Sequence, residues 1–194
     1  MRTRAWLATV PVLLLTVGAC GGDDDGDGGG GLSMGSLSDA GDTCPVDLGA
    51  AVVDAGMTDD AGDVAVEVTE GSGDGGQDDS AIDQFGGTLV ECTVAVDDGE
   101  ATAIVFATER PSAVNLLLPQ MSADLGLASD VLLDVAERAE DAETGELLDL
   151  GADGPAAAAP IEVGDAESAV LYVSAPDATP EQVRSAAEAM LDTL

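Results

Sequence analysis

The residues able to do chemistry in this chain are few in kind. Three cysteines, Cys20, Cys44 and Cys92, stand among 39 acidic residues and five arginines, with no histidine and no lysine. A Ser-His-Asp triad, a Cys-His pair, a Schiff base and a His-ligated zinc site therefore cannot be built. A carboxylate pair could still act as acid and base, as in glycoside hydrolysis, but such sites use aromatic platforms and an acid held in an apolar pocket. Trp6, Phe85, Phe106 and Tyr172 are the whole aromatic content. No catalytic residue is assigned, the protein is read as a non-enzyme, and neither a dinucleotide cradle nor a P-loop is expected. Two acidic loops invite a calcium reading: Asp23-Asp24-Asp25-Gly26-Asp27-Gly28, and Asp74, Asp78, Asp79 with Asp83. Both lack the glutamate at loop position twelve and the flanking helices of an EF-hand, so both are read as solvated loops, with no metal and no cofactor.

The chemistry of Cys20 is set by what precedes it. Arg2 and Arg4 lead into an apolar run over residues 5–17, too short to span a bilayer comfortably, and small residues then lead to the cysteine. That order is a secretory signal, and Val17-Gly18-Ala19-Cys20 resembles the bacterial lipobox, in which the cysteine sulfur receives a diacylglyceryl group and the chain is cut just before it. Residues 1–19 are thus expected to be a signal peptide and Cys20 the lipidated (palmitate-type) N-terminus. The Gly/Asp-rich stretch that follows cannot bury apolar surface, so residues 20–43 read as a flexible tether and residues 44–194 as one globular domain. The expected location is the extracytoplasmic face of the cell membrane, held there by lipid. Two or three acyl chains suffice for stable anchoring, so no second membrane signal is required.

All the acidic residues lie beyond Cys20, whereas two of the five arginines lie before it. The mature chain therefore sets three arginines against 39 acids, a net charge of −36. Nucleic acid is excluded as a partner, because phosphate binding needs basic neutralisation that three dispersed arginines cannot give. The charge reads either as a solvated surface or as adaptation to salt. Loss of Trp6 with the signal leaves a core of Val, Leu and Ala, which buries less area per residue than an aromatic core. A covalent staple would compensate. Cys44 and Cys92 form an even pair in an oxidising setting and are expected to be bonded, closing a loop worth about 4 kcal/mol of denatured-state entropy.

The elements that must position these groups follow from periodicity. Residues 45–55 read as a short helix with Pro45 first and Val46, Ala50 and Val53 on one side. Residues 63–70 alternate Val64, Val66, Val68 against Ala65, Glu67, Thr69, as a strand with one wet face does. Residues 71–80 read as a loop. A hairpin joins a strand carrying Val90, Cys92, Val94 and Val96 to residues 101–108 through Asp98-Gly99. Residues 111–124 have helical spacing that Pro119 should kink or end. Residues 129–142 form a helix that Ser129 should cap, with a competing strand near 146–150, and residues 150–160 read as a loop from their Gly and Pro. A strand over 168–175 leads to a last helix with Thr179 as cap, Pro180 first and Gln182 completing a capping box. The fold class is α+β: an antiparallel sheet of about four to six strands with N-terminal and C-terminal helices packed on it.

With the Cys20 motif, the acidic Gly-rich tether, the Cys44-Pro45 helix start, Cys92 on a middle strand, the Leu148-Asp149-Leu150-Gly151-Ala152-Asp153 loop and a strand followed by a C-terminal helix, the chain resembles a family of small actinobacterial exported lipoproteins whose head is a domain of unknown function. The likeness covers roughly residues 40–194. It implies an antiparallel sheet with helices packed on it and no established chemistry. Two functions are expected from these residues: an anchored binding or interaction module for an apolar ligand or an envelope protein, or a structural or stress-related envelope protein whose acidic, salt-adapted surface is its function. A closed core without an apolar cavity of about 300 Å³ would favour the second.

Overall fold

A computed structural model describes residues 31–76, 80–97, 99–126, 128–150 and 155–194. The elements run α1 (Met34–Ser38), α2 (Leu48–Asp54), β1 (Ala65–Gly71), α3 (Ala81–Phe85), β2 (Gly87–Val96), β3 (Gly99–Thr108), α4 (Ala113–Leu125), α5 (Ser129–Asp141), β4 (Leu148–Asp149), β5 (Ala156–Ile161), β6 (Ser168–Ser174) and α6 (Pro180–Leu191). The strands form one six-stranded sheet in the order β1-β2-β3-β6-β5-β4, with every pairing antiparallel. Two three-stranded meanders, β1-β2-β3 and β4-β5-β6, thus meet along β3 and β6.

Strand alternation divides the apolar residues between two faces. Val90, Cys92 and Val94 of β2, Ala103 and Val105 of β3, and Leu171 and Val173 of β6 pack with Leu37 of α1, Leu48 and Val52 of α2, and Val183 and Met190 of α6. Leu89, Ile104, Phe106, Val170 and Tyr172 point the other way, onto Val114, Leu117 and Met121 of α4 and Val135 of α5. Helices therefore cover both faces, and at the centre β3 from Ala103 onward and β6 after its first residue are buried without a break. The α+β class and the antiparallel sheet agree with the sequence reading. The second helical layer, α4 with α5, completes it.

Several local expectations are corrected. Order reaches back well before residue 44: the Gly164 amide donates to the Leu32 carbonyl at 2.6 Å, Ser33 forms a bridge with Gly164, and Leu37 is fully buried. A Ser33–Ser36 capping box starts α1, which is held on the sheet by buried Leu37, by Met34 against the same core and by the Ser38–Thr88 hydrogen bond. The following helix begins at Leu48 because the Asp47 side chain accepts from the Ala50 amide at 3.0 Å. It buries Leu48, Ala51 and Val52, while Val53 is exposed. Pro119 does not end α4, which continues to Leu125 because Leu117 and Met121 on either side of it are pinned in the core. The residue at the N-cap of α5 is Ala128, with Ser129 the first helical position.

The largest correction is β5. The alanine run read as a loop is a strand with Ala156, Ala157, Ala158 and Ala159 all buried. Alanine lets α6 and α4, which both contact β5, approach it closely. Pro160 is tolerated because β4 pairs only with Ala157 and Ala158, leaving that edge of β5 without a ladder to feed. The C-terminal helix forms as expected, with the Thr179–Gln182 capping box, Pro180 in its first turn, and Val183, Ala186, Ala187 and Met190 buried.

The stretch read as the loop 71–80 contains a backbone-to-backbone packing. A Cβ on Gly71 would lie 2.0 Å from the Ile82 carbonyl oxygen, and one on Gly75 would lie 2.7 Å from the Asp83 carbonyl. Gly71→Ala is accordingly expected to destabilise the fold by about 1–3 kcal/mol, as overpacking against an unyielding backbone does. Gly62, where an added Cβ meets nothing within 4 Å, is the control and should change stability by less than about 0.5 kcal/mol. Urea unfolding of the two variants checks this, and equal midpoints would contradict it.

Candidate functional site

Cys44 and Cys92 are disulfide-bonded, their Cα atoms 5.9 Å apart, joining the segment before α2 to the middle of β2. Neither is available as a nucleophile or a ligand. Cys20 and the acidic stretch 23–28 lie outside the described residues, as do Asp78 and Asp79. Of the second acidic loop, Asp83 is used locally: its amide donates to Ser80 Oγ at 3.2 Å, and that hydroxyl donates to Asp83 Oδ2 at 2.7 Å, starting α3. No group of three or more His, Cys, Asp or Glu residues able to hold a metal is found among the described residues.

The three arginines among the described residues differ in their company. Arg138 pairs with Asp134 at 2.9 Å and donates to the Asp149 carbonyl at 3.0 Å. Arg184 pairs with Glu188 at 3.1 Å and with Asp149 at 3.2 Å. Both sets are solvent-exposed, so each pair contributes only about 0–1 kcal/mol. Arg110 has no carboxylate partner among the described residues. Its Nε donates a long, 3.4 Å bond to the Phe85 carbonyl, at the last turn of α3.

Arg110 lies in an open cleft of about 690 Å³ at one end of the sheet. One wall is α1, with Met34, Gly35 and Ser38. Another is the turn after β1, with Glu70, Gly71, Ser72, Gly73 and Asp74. The floor and far wall come from Phe85, Gly86, Gly87 and Thr88, and from Glu109 with Arg110. The two loops that carry Phe85 and Arg110 are fastened to each other. The fully buried Thr108 donates its hydroxyl to the Gly86 carbonyl at 2.9 Å and accepts from the Arg110 amide at 3.2 Å. Ser168 donates to the Arg110 carbonyl at 2.6 Å and accepts from the Ala113 amide at 2.9 Å. Between these anchors Ser112 is held in the left-handed region, at φ 64° and ψ 56°, without capping α4 through its side chain. A non-glycine residue there costs energy and is retained where its surroundings fix it. Gly87, at φ 133°, has no room for a side chain, since a Cβ would lie 2.5 Å from the Ala107 carbonyl.

Gly71-Ser72-Gly73-Asp74-Gly75-Gly76 has the spacing of a dinucleotide fingerprint, contrary to the expectation that none is present. Its setting is wrong for that role, because β1 and β2 pair antiparallel and the intervening α3 has five residues, whereas the fingerprint belongs to a parallel βαβ unit. The glycines serve close packing instead.

Three further clefts, of about 320 to 490 Å³, are also open, and their linings mix polar and apolar surface. The surface is crowded with carboxylates, and Glu67 and Glu91 even stand opposite one another across β1–β2, an arrangement that costs energy for like charges. Raising NaCl from about 0.01 M to 1 M shortens the screening length from about 30 Å to about 3 Å. The thermal midpoint is expected to rise by roughly 5 °C, equivalent to about 1–2 kcal/mol for a chain of this size. A flat or falling midpoint in calorimetry would mean that the acidic shell is no load on folding.

The chain matches no family model, no curated protein and no solved structure.

Proposed function

We propose that this protein is a lipid-anchored, non-enzymatic interaction module displayed on the extracytoplasmic face of a cell membrane, akin to the small exported actinobacterial lipoproteins its sequence resembles. The reading is carried by the order of residues at the N-terminus: arginines, a short apolar run, and Val17-Gly18-Ala19 before Cys20. The head is consistent with such a role. Its fold takes hold at Leu32, so about a dozen residues separate Cys20 from the domain, and the cleft of about 690 Å³ adjoins α1, the first element after that tether. The cleft is open and polar, which suits a polar ligand or a partner's surface and not an apolar molecule.

A second reading has its own support. The clefts described above are all open, and none of them is an enclosed apolar cavity, as a structural or stress-related envelope protein with an acidic surface would have. Native mass spectrometry of the protein extracted from its own membrane separates the two. A co-purifying ligand or partner is expected on the first reading. Recovery of the bare lipoprotein from every extraction would move the conclusion to the second.

A further inference from the structure

The geometry points to the cleft between α1, the β1–α3 turn and the β3–α4 turn as a binding site for a neutral polyhydroxylated ligand, a sugar ring of a glycan, with Phe85 as stacking platform and Arg110 as hydrogen-bond donor. This deepens the interaction-module reading and rests on it.

Phe85 is 40 % exposed, whereas Phe106 and Tyr172 are each 1 % exposed. Among the described residues, the one accessible aromatic ring therefore lies in the same cleft as the one arginine without a carboxylate partner. An exposed ring face is an apolar surface that a sugar's C–H face can cover, while the arginine offers a planar fork of donors. Glu70, Asp74 and Glu109 line the same cleft and, when ionised, only accept. Around them Gly71, Gly73, Gly86 and Gly87 present peptide backbone without side chains to shield it.

The mixture selects against other ligand classes. An anion would satisfy Arg110 but meet three carboxylates nearby in a chain whose net charge is −34. A cation would satisfy the carboxylates but repel Arg110 and leave its donors unmatched. An apolar molecule would strip water from all four charged groups without replacing its hydrogen bonds. Adjacent hydroxyls both donate and accept, carry no charge, and sit on a ring with an apolar face, so a sugar can engage every kind of group present. The site is also held ready. Thr108 ties the Phe85–Gly87 turn to Arg110, and Ser168 ties Arg110 to α4, so little ordering is left for binding to supply.

The test uses the full lipidated protein in an amphipol, since glycosidic detergents would compete. It is screened on an array of neutral gluco-, manno-, galacto- and arabino-oligosaccharides, with uronic-acid oligosaccharides, sulfated oligosaccharides and oligolysine beside them. Each neutral oligosaccharide that binds is then titrated by calorimetry. Binding by at least one neutral class is expected, changing less than about twofold between 0.05 and 0.5 M NaCl because no charge is neutralised. Phe85→Ala and Arg110→Gln should each weaken it about tenfold or more, and Arg138→Gln less than about twofold. Unchanged thermal midpoints confirm that Phe85→Ala and Arg110→Gln are folded, and Arg110→Lys, which keeps the charge but loses the fork, should also bind weakly. No binding to any neutral oligosaccharide, binding to charged probes alone, or neutral binding that survives both Phe85→Ala and Arg110→Gln would overturn the assignment. A protein partner recovered from the membrane with no oligosaccharide bound would overturn the sugar site while leaving the interaction module standing. Absence of acyl chains from Cys20 would overturn the anchored module whatever the array shows.

Discussion

Removing the Cys44–Cys92 bond is expected to cost this head about 4 kcal/mol, a large part of the roughly 5–15 kcal/mol by which domains are stable. The bridge spans a sequence separation of 48 residues, and the loop it closes carries α2, β1 and α3. In the denatured chain that loop would otherwise be free, and the entropy lost by closing it rises with the logarithm of its length. The native side has little to offset the loss. The core facing α2 and α6 is mostly Val, Ala and Leu with no aromatic, and β1 is an edge strand whose valines are only half buried. Both Cys44→Ala/Cys92→Ala and reduction of the wild type should lower the urea midpoint, the first also leaving a small cavity where Cys92 is fully buried. A double variant within about 1 kcal/mol of wild type would show that the core is sufficient without the bridge.

The second large effect is all-or-none. Cys20→Ala should abolish acylation and leave either uncut precursor or head released by another cleavage. No helix among the described residues is long and apolar enough to cross a membrane. The chain's net charge of −34 opposes approach to anionic lipid. Acyl chains contribute about 0.8 kcal/mol per buried methylene, so losing two or three of them removes the anchor outright. Membrane fractionation of the variant, followed by mass spectrometry of its N-terminal peptide, checks this. The same acylated peptide recovered from the variant would refute the assignment of Cys20.

Much of the fold was legible wherever one local signal and the tertiary context agreed. The β2–β3 hairpin carries alternating valines that make it easy to read, although its register sits one residue away from the turn read at Asp98-Gly99: Gly99 is the first residue of β3 and stands opposite Val96. In α6 the cap, the proline and the apolar stripe all agree. The disulfide follows from an even cysteine pair. Legibility failed where small residues do the packing. Ala156–Ile161 has neither branched residues nor alternation until its last position, and its strand identity comes from being sandwiched between helices. In α1, one buried leucine among a methionine, a glycine and two serines gives no period to read. The glycines after β1 read as freedom, whereas in the fold they are close contact.

The cleft was the least legible feature, because its walls come from segments far apart in sequence. One signal was nevertheless present. Arg138 and Arg184 each have an acid four residues away, Asp134 and Glu188, and pair with it. Arg110 has Phe106 and Val114 at those positions. In a chain this acidic, an arginine with no local acid partner in helical spacing is the one to follow.

The anchored-module account is tested most directly by the intact mass of wild-type protein extracted from its own membrane. The account predicts a chain beginning at Cys20, carrying a diacylglyceryl group on that residue, and lighter by two hydrogens for the Cys44–Cys92 bond. A chain that begins at Met1, or one whose Cys20 bears no lipid, would contradict it.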